Sequence, residues 1–316
     1  MAAGQNEEQN ALDRDLGLGG RIADQQRTRI LNRDGTFNVR RAGLPGFGTE
    51  DLYHHLLTIS WVRFHWMVVV AYVAVNLLFG LAYFLCGPTA LLGSEARSAA
   101  GRFAECFFFS VQTLGTIGYG KMSPQGGAAN VVVTCEALVG LMGFAFATGL
   151  LFARFSRPTA RLLFSDRALI APFQAGHALM FRVMNARLVS EITEVQATVT
   201  LSRMEERNGR RVRRFFPLAL EREKVMFLPM QWVVVHPVNE ASPLWGMTEA
   251  GAHRQEWEIL ILMSGIDETF SQPVHSRSSY RHDELVWEAK FQDMYQTNPN
   301  GILHVDAERL SAYQKL

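Results

Sequence analysis

Two long uncharged runs govern what this chain can become. Trp66 to Cys86 reads WMVVVAYVAVNLLFGLAYFLC and Ala128 to Phe152 reads AANVVVTCEALVGLMGFAFATGLLF. At about 1.5 Å per helical residue, each is long enough to cross the roughly 30 Å hydrocarbon core of a bilayer. Asn76 is the only strongly polar side chain of the first run and Glu136 the only formal charge of the second, where Gly140, Gly143 and Gly149 are spaced along the sequence. Across all 316 residues, 48% are hydrophobic and 19% charged, averages that blend a central apolar third with two polar flanks. The 31 Lys and Arg against 30 Asp and Glu leave a net charge of +1, which gives no pull toward nucleic acid. The three cysteines, Cys86, Cys106 and Cys135, lie in the apolar third without a CxxC pair, a pattern of packing residues rather than of a disulfide scaffold or a zinc site. The first run starts too far along the chain and is too long for the core of a cleaved signal, so both runs are read as transmembrane helices, 66–86 and 128–152.

Orientation follows from basic residues. Arg21, Arg27, Arg29, Arg33, Arg40, Arg41 and Arg63 precede the first span, and Arg154, Arg157, Arg161 and Arg167 follow the second, while Arg97, Arg102 and Lys121 are all that lie between. The positive-inside rule puts both termini in the cytoplasm, in a multi-pass protein of the plasma (cell inner) membrane, with residues from about Gly87 to Gly127 on the outer side.

The connection holds a further apolar stretch, Phe103 to Leu114 (FAECFFFSVQTL), too short at about twelve residues to cross and suited to a re-entrant pore helix. It runs into Gly115-Thr116-Ile117-Gly118-Tyr119-Gly120. Irregular backbone at membrane depth survives only where protein covers it or it lines a watery cavity, because lipid cannot satisfy its N–H and C=O groups. Gly118 and Gly120 can take backbone conformations that side chains with a Cβ avoid, turning alternate carbonyls the same way, and Thr116 adds a hydroxyl oxygen at the inner end. Four such loops about an axis would present rings of oxygen able to replace the hydration shell of K+.

With TLGTIGYG between two spans, the sequence resembles the potassium channels. The resemblance implies a homotetramer, K+ ions bound at Thr116, Ile117, Gly118 and Tyr119, and a selectivity filter formed by those residues with Gly120. No other cofactor is expected. Gln112 stands where many relatives carry a pore-helix acid, and Lys121 follows Tyr119-Gly120, so the filter is supported differently here.

After Pro158 the chain has no further span. Glu194 to Leu201 alternates, with Val195, Ala197, Val199 and Leu201 on one face and Glu194, Gln196, Thr198 and Thr200 on the other, as in a half-buried strand. Asn208-Gly209 is a hairpin signal, and β-rich segments recur at 212–220, 226–238, 256–264 and 284–291, a pattern that suggests a β-sandwich. Ala153-Arg154-Phe155-Ser156-Arg157-Pro158, Phe181-Arg182-Val183-Met184-Asn185-Ala186-Arg187, Glu240-Ala241-Ser242-Pro243-Leu244 and Arg277-Ser278-Ser279-Tyr280 with Glu284 and Trp287 are similar to blocks of the inward-rectifier potassium channels, the prokaryotic KirBac branch in particular. That resemblance implies a pore domain of membrane α type followed by an all-β, immunoglobulin-like cytoplasmic domain. The expected division is a flexible segment 1–44, an interfacial slide helix 45–65, a pore domain 66–157 and a regulatory sandwich 158–316. Residues 45 to about 295 carry the likeness, and the tail beyond Asn298 adds little.

LYHHLLTISW, Leu52 to Trp61, sets Leu52, Leu56, Leu57 and Ile59 near one side, the pattern of a helix lying along the inner membrane surface. Glu136 admits two readings, a group in contact with ions or a structural hydrogen bond behind the filter. By resemblance, Phe152 is the hydrophobic inner gate, Gly143 a hinge, and Phe144 the cavity position where strongly rectifying relatives carry an acid; packing is the plainer reading of Phe152 and Gly143. Arg63, Arg154, Arg157 and Arg161 at the inner membrane edge serve either as the topology signal alone or as a site for anionic lipids such as phosphoinositides, each charge worth about 1 kcal/mol. Glu194 is either a cytoplasmic-pore acid or a polar strand residue, and Ser271 and Gln272 fall near the family's girdling loop. No nucleophile elbow, phosphate loop, HExxH or CxxC motif occurs, so an enzyme is disfavoured. A potassium channel gated by inner helices and cytoplasmic domain is the leading expectation, ahead of a poorly selective or mostly closed cation pore with a ligand-sensing domain.

Overall fold

A computed structural model of the chain describes residues 29–39, 49–156, 160–187, 191–207, 209–228, 231–297 and 303–316. These fall into two compact units, one formed by residues 43–157 and one by the N-terminal segment with 158–316.

The membrane unit is helical. Helix α1 (Thr49–Thr58) is followed by α2 (Trp61–Leu85), which begins five residues before the apolar run because the Ser60 hydroxyl accepts from the Arg63 N–H and caps it there. Such a cap contributes about 1 kcal/mol. Trp61 and Arg63 therefore belong to the long apolar helix, and the separate helix within the expected 45–65 stretch is the shorter α1. Strand β1 (Leu91–Leu92) pairs antiparallel with β2 (Ser123–Pro124). Between them α3 (Ala99–Leu114), capped by Ser98, is the short re-entrant helix, starting four residues before its apolar stretch. Helix α4 (Gly126–Phe155) is the second long apolar helix and extends beyond the 128–152 run at both ends. Bare backbone lets the three central helices close up: a Cβ on Gly80 of α2 would lie 3.0 Å from the Phe107 Cα of α3, and one on Gly140 of α4 would lie 2.9 Å from the Leu114 carbonyl oxygen.

The second unit is all-β, as the alternation implies. Its strands are β3 (Leu162–Phe164), β4 (Ala168–Phe173), β5 (Gly176–Asn185), β6 (Ile192–Arg207), β7 (Arg210–Leu218), β8 (Lys224–Phe227), β9 (Gln231–Val238), β10 (Glu258–Asp267), β11 (Gln272–Arg281) and β12 (Leu285–Trp287), with a short helix α5 (Glu249–Arg254) before β10. One sheet runs β11-β10-β6-β7 with β8 also on β6; the other runs β12-β4-β5-β3 with β9 also on β5. Trp257, Tyr280, Phe181, Ile259, Leu201 and Leu179 fill the space between them, essentially inaccessible to water. Small two-stranded pairings complete the unit: β13 (Ala289–Phe291) with β16 (Tyr313–Lys315), and β14 (Tyr295–Thr297) with β15 (Leu303–Val305). The tail beyond Asn298 thus contributes a strand to each pairing.

Three expectations are corrected. The stretch 226–238 is two strands, not one, because β8 joins β6 while β9 joins β5 in the opposite sheet. The alternation holds from Glu194, exposed at φ 51° in a bulge opposite the register shift between Ser264 and Ile266, as far as Val199, but Thr200, expected on the polar face, is buried. Within the N-terminal segment, residues 29–39 are packed onto the sandwich rather than loose. Ile30 is buried, its N–H and that of Leu31 donate to the buried Glu258 carboxylate at 3.0 Å, and Arg29 pairs with Glu284 at 3.0 Å.

Candidate functional site

The loop after α3 begins as a continuation of the helix and then reverses. Gly115 N–H donates to the Val111 carbonyl at 3.1 Å, Thr116 N–H to Thr113 at 3.0 Å and Ile117 N–H to Gln112 at 2.8 Å, so the loop hangs from carbonyls that the end of a helix would leave without partners. From there every second residue is left-handed: Thr116 at φ 53°, Gly118 at 60° and Gly120 at 78°. In an extended chain successive carbonyls point opposite ways. Reversing the backbone at alternate positions turns them to one side, which a β-branched residue such as Thr116 adopts only at a cost on the order of 1–3 kcal/mol. The glycines were legible as the permissive positions; the reversal at Thr116 was not, because nothing in a threonine announces it. Among the described residues, nothing beyond the adjacent residues of the chain lies within 4 Å of where a Cβ would stand on Gly118 or Gly120, and the Tyr119 side chain is exposed.

Behind α3 lies a polar cluster. Glu136 of α4 is fully buried, its Oε2 accepts from the Tyr83 hydroxyl at 2.5 Å, and its Oε1 lies against the Ser110 hydroxyl. Ser110 also meets Asn76 Oδ1 at 3.0 Å, and Asn76 Nδ2 donates to the Tyr72 carbonyl at 2.7 Å. Of the two readings of Glu136 the structural one holds. The signal was present in the two spans, whose isolated polar residues Asn76 and Glu136 meet here, but their partners Tyr83 and Ser110 carried none.

The outer side of the loop is braced by backbone. A Cβ on Gly93 would lie 2.2 Å from the Lys121 carbonyl oxygen, and Glu105 of α3 holds this turn through the Ser94 hydroxyl at 2.5 Å and the Glu95 N–H at 3.2 Å. The exposed Lys121–Glu95 pair at 3.7 Å adds little.

At the other end of the spans the structure changes the role of one arginine. Arg154 is buried, its guanidinium donates to the carbonyls of Leu56 and Ile59, and it lies 4.7 Å from the Trp61 ring centre and 4.6 Å from that of Phe64. Both its terminal nitrogens are thus engaged within the protein, where the basic lipid cluster expected an exposed side chain. Arg63 and Arg161 are exposed, and Arg157 lies outside the described residues. Phe144 and Phe152 are exposed on α4, and among the described residues nothing outside the helix's own neighbouring residues lies within 4 Å of a Cβ on Gly143. Glu194 is neutralised by Lys224 at 2.6 Å, whose hydrogen bond and charge hold its carboxyl below the ordinary range. Ser271, at φ 51°, and Gln272 form the exposed tip of the β10–β11 hairpin.

Two apolar spans, a re-entrant helix between them and a loop with left-handed backbone at alternate residues define a pore-forming membrane protein, here with a β-sandwich attached. Residues 57–157 match the family model of ion channels, and 162–316 match that of the inward rectifier potassium channel C-terminal domain, so the likeness runs to the end of the chain. The inward rectifier potassium channel Kirbac3.1 of Paramagnetospirillum magnetotacticum is 42% identical over 90% of this chain and 95% of its own. The ATP-sensitive inward rectifier potassium channel 14 of Rattus norvegicus is 30% identical over 92% of this chain and 71% of its own, and the G protein-activated inward rectifier potassium channel 4 of Homo sapiens 28% identical over 89% and 71%. The chain belongs to the inward rectifier potassium channels, on their prokaryotic branch; it is an ion channel and not an enzyme. Among solved structures, that of Spo0M, a sporulation control protein from Bacillus subtilis, matches at 10% identity and a TM-score of 0.24 over 42% of this chain, a likeness too slight to bear on the fold.

Proposed function

We propose that Thr116, Ile117, Gly118, Tyr119 and Gly120 form the selectivity filter of a homotetrameric channel and that Thr116 to Tyr119 coordinate K+. The observation that carries this reading is the left-handed backbone at Thr116, Gly118 and Gly120, which turns the loop's carbonyls to one side. Dipoles so arranged replace water around a cation without a formal charge to trap it. K+ is the only bound species this reading needs.

The rest of the path follows α4. Phe144 lines the cavity, and without an acid there Mg2+ and polyamines find no carboxylate, so rectification from that position is weak. Phe152 closes the inner end as a ring of four aromatic side chains, with Gly143 as the hinge that frees it. Glu194 with its Lys224 partner, Ser271 and Gln272 line the cytoplasmic passage. Arg63, Arg157 and Arg161 supply the charge that makes the channel sensitive to anionic lipids such as phosphoinositides, in the cell inner membrane with both termini cytoplasmic. Basic residues concentrated before the first span and after the second support that orientation.

The test is Rb+ uptake into liposomes holding the purified tetramer, with Na+ competition, Ba2+ block and vesicles with and without phosphoinositide. Selective, Ba2+-sensitive uptake that disappears in Gly118→Ala supports the filter. Equal Na+ and Rb+ entry, or uptake unaltered by Gly118→Ala, refutes it.

A further inference from the structure

We propose that Glu136 is held as a neutral carboxylic acid and that, in this form, it positions the pore helix α3 and through it the filter loop. The count of protons requires it. Asn76 Nδ2 is committed to the Tyr72 carbonyl, which can only accept, so the amide oxygen is the atom that faces Ser110 at 3.0 Å. Ser110 Oγ therefore lies between two oxygens, Asn76 Oδ1 and Glu136 Oε1, with a single hydroxyl proton to share. With an ionised carboxylate, one of those two contacts is lone pair against lone pair in a fully buried place. With a proton on Oε1, Glu136 donates to Ser110, Ser110 donates to Asn76, and Tyr83 donates to Oε2 at 2.5 Å. Each contact then holds one hydrogen, and the chain of bonds runs from α4 through α3 to α2.

Charge leads to the same state. No Lys, Arg or His pairs with Glu136 among the described residues, and a buried carboxylate without a cation is costly enough that such groups shed their charge. Tyr83, itself fully buried, is the titratable group bonded to it.

What the acid holds in place is the end of α3. Ser110 lies in the same turns as Gln112 and Thr113, whose carbonyls carry the N–H groups of Ile117 and Thr116. One turn along α4 from Glu136, Gly140 lets the Leu114 carbonyl against the helix. A shift of α3 on α4 is thus passed to the first residues of the loop.

This inference rests on the filter reading, and the experiment separates the two. Infrared spectra and Rb+/Na+ uptake are measured on reconstituted tetramers of the parent, Glu136→Gln, Glu136→Leu and Ser110→Ala, with Gly118→Ala as the filter control. Glu136→Gln, with an N–H donor and a C=O acceptor where the acid has O–H and C=O, is expected to lose the carbonyl stretch of a buried protonated carboxyl yet keep Rb+/Na+ discrimination within about twofold. Ser110→Ala and Glu136→Leu are expected to lower discrimination about tenfold, the scale of one buried hydrogen bond. The proposal is overturned if no protonated-carboxyl band disappears in Glu136→Gln, if that variant loses discrimination as Glu136→Leu does, or if Ser110→Ala keeps parental discrimination. Where Glu136→Leu does not assemble, Ser110→Ala carries the selectivity arm. The infrared arm reads the same whether or not Gly118→Ala abolishes selectivity.

Discussion

Arg154 Nη2 donates to the carbonyl oxygen of Ile59 at 2.7 Å, while Nη1 reaches the carbonyl of Leu56. These two carbonyls stand at and just beyond the end of α1, where helical partners run out, so the last turn of α4 caps α1. The Trp61 and Phe64 rings, set nearly perpendicular to one another, cover the guanidinium on two adjacent sides. Arg154→Ala leaves both carbonyls without a charged donor and is expected to cost about 2–3 kcal/mol, read as a lower thermal midpoint of the tetramer. Its binding to anionic vesicles should match the parent. Arg63→Gln and Arg161→Gln should each weaken that binding about fivefold, the equivalent of about 1 kcal/mol per exposed charge. A large loss of vesicle binding in Arg154→Ala would return this arginine to the lipid site.

Spans, re-entrant helix and loop were legible because each is a hydrophobic length or a glycine pattern, and lipid permits few backbone solutions to either. Arg154 was not, since an arginine at a membrane edge looks the same whether it faces headgroups or turns inward onto a neighbouring helix. The bulge at Glu194 was silent for a related reason: the exposed glutamate keeps the alternation of its neighbours, and only its backbone, at φ 51°, departs from the ladder. In the sandwich, β4 and β5 escaped the pattern reading because they are buried along much of their length, which removes the alternation that marks a half-exposed strand, and β11 (QPVHSRSSYR) because it has too few apolar residues to show a period.

Glu258 joins the N-terminal segment to the sandwich. Burial raises its carboxyl above the ordinary range, an effect the N–H groups of Leu31 and Ile30 and the nearby Arg213 partly offset. Glu258→Gln turns an amide N–H toward those backbone donors, so residues 29–39 are expected to open more often. Tryptic cleavage after Arg29 and Arg33 should speed up about thirtyfold, corresponding to about 2 kcal/mol. Unaltered cleavage would show that the Arg29–Glu284 pair holds the segment by itself.

Gly93 and Gly143 separate two uses of glycine. At Gly93, φ is 86° and a Cβ would collide with the Lys121 carbonyl, so Gly93→Ala must displace the outer end of the loop. Weaker Ba2+ block by about fivefold is expected, with the tetramer intact, the equivalent of about 1 kcal/mol. At Gly143 the space is open and the backbone helical, so alanine adds about 1 kcal/mol of helix stability. If the hinge assignment holds, Gly143→Ala lowers Rb+ uptake without altering Rb+/Na+ discrimination. Parental uptake would make it a packing glycine.

His236 gives the sandwich a dependence on pH. Its Nδ1–H donates to the Ala219 carbonyl at 2.6 Å, and Nε2 accepts from the Ser242 hydroxyl at 2.7 Å, whose oxygen in turn accepts from the Leu244 N–H at 3.1 Å. Burial lowers the imidazole below its ordinary value of 6.5, with the Ala219 carbonyl partly offsetting it. His282 shifts the same way through burial and the neighbouring His253. Below pH 6.5 the unfolded chain takes up protons that the folded one refuses, so stability is full above that value. It is lost as pH falls, until the folded-state value is reached, at up to about 1.4 kcal/mol per pH unit for each such histidine. Glu258 acts with the opposite sign, since a raised carboxyl favours folding on the acid side of its window and loses that contribution as pH rises from 4.5 toward its folded value. Comparing the parent with His236→Gln cancels the Glu258 contribution. The thermal midpoint of the variant should fall less between pH 7 and pH 5.5 than that of the parent. Parallel curves would mean that the folded sandwich accepts a proton at His236 as readily as the unfolded chain does.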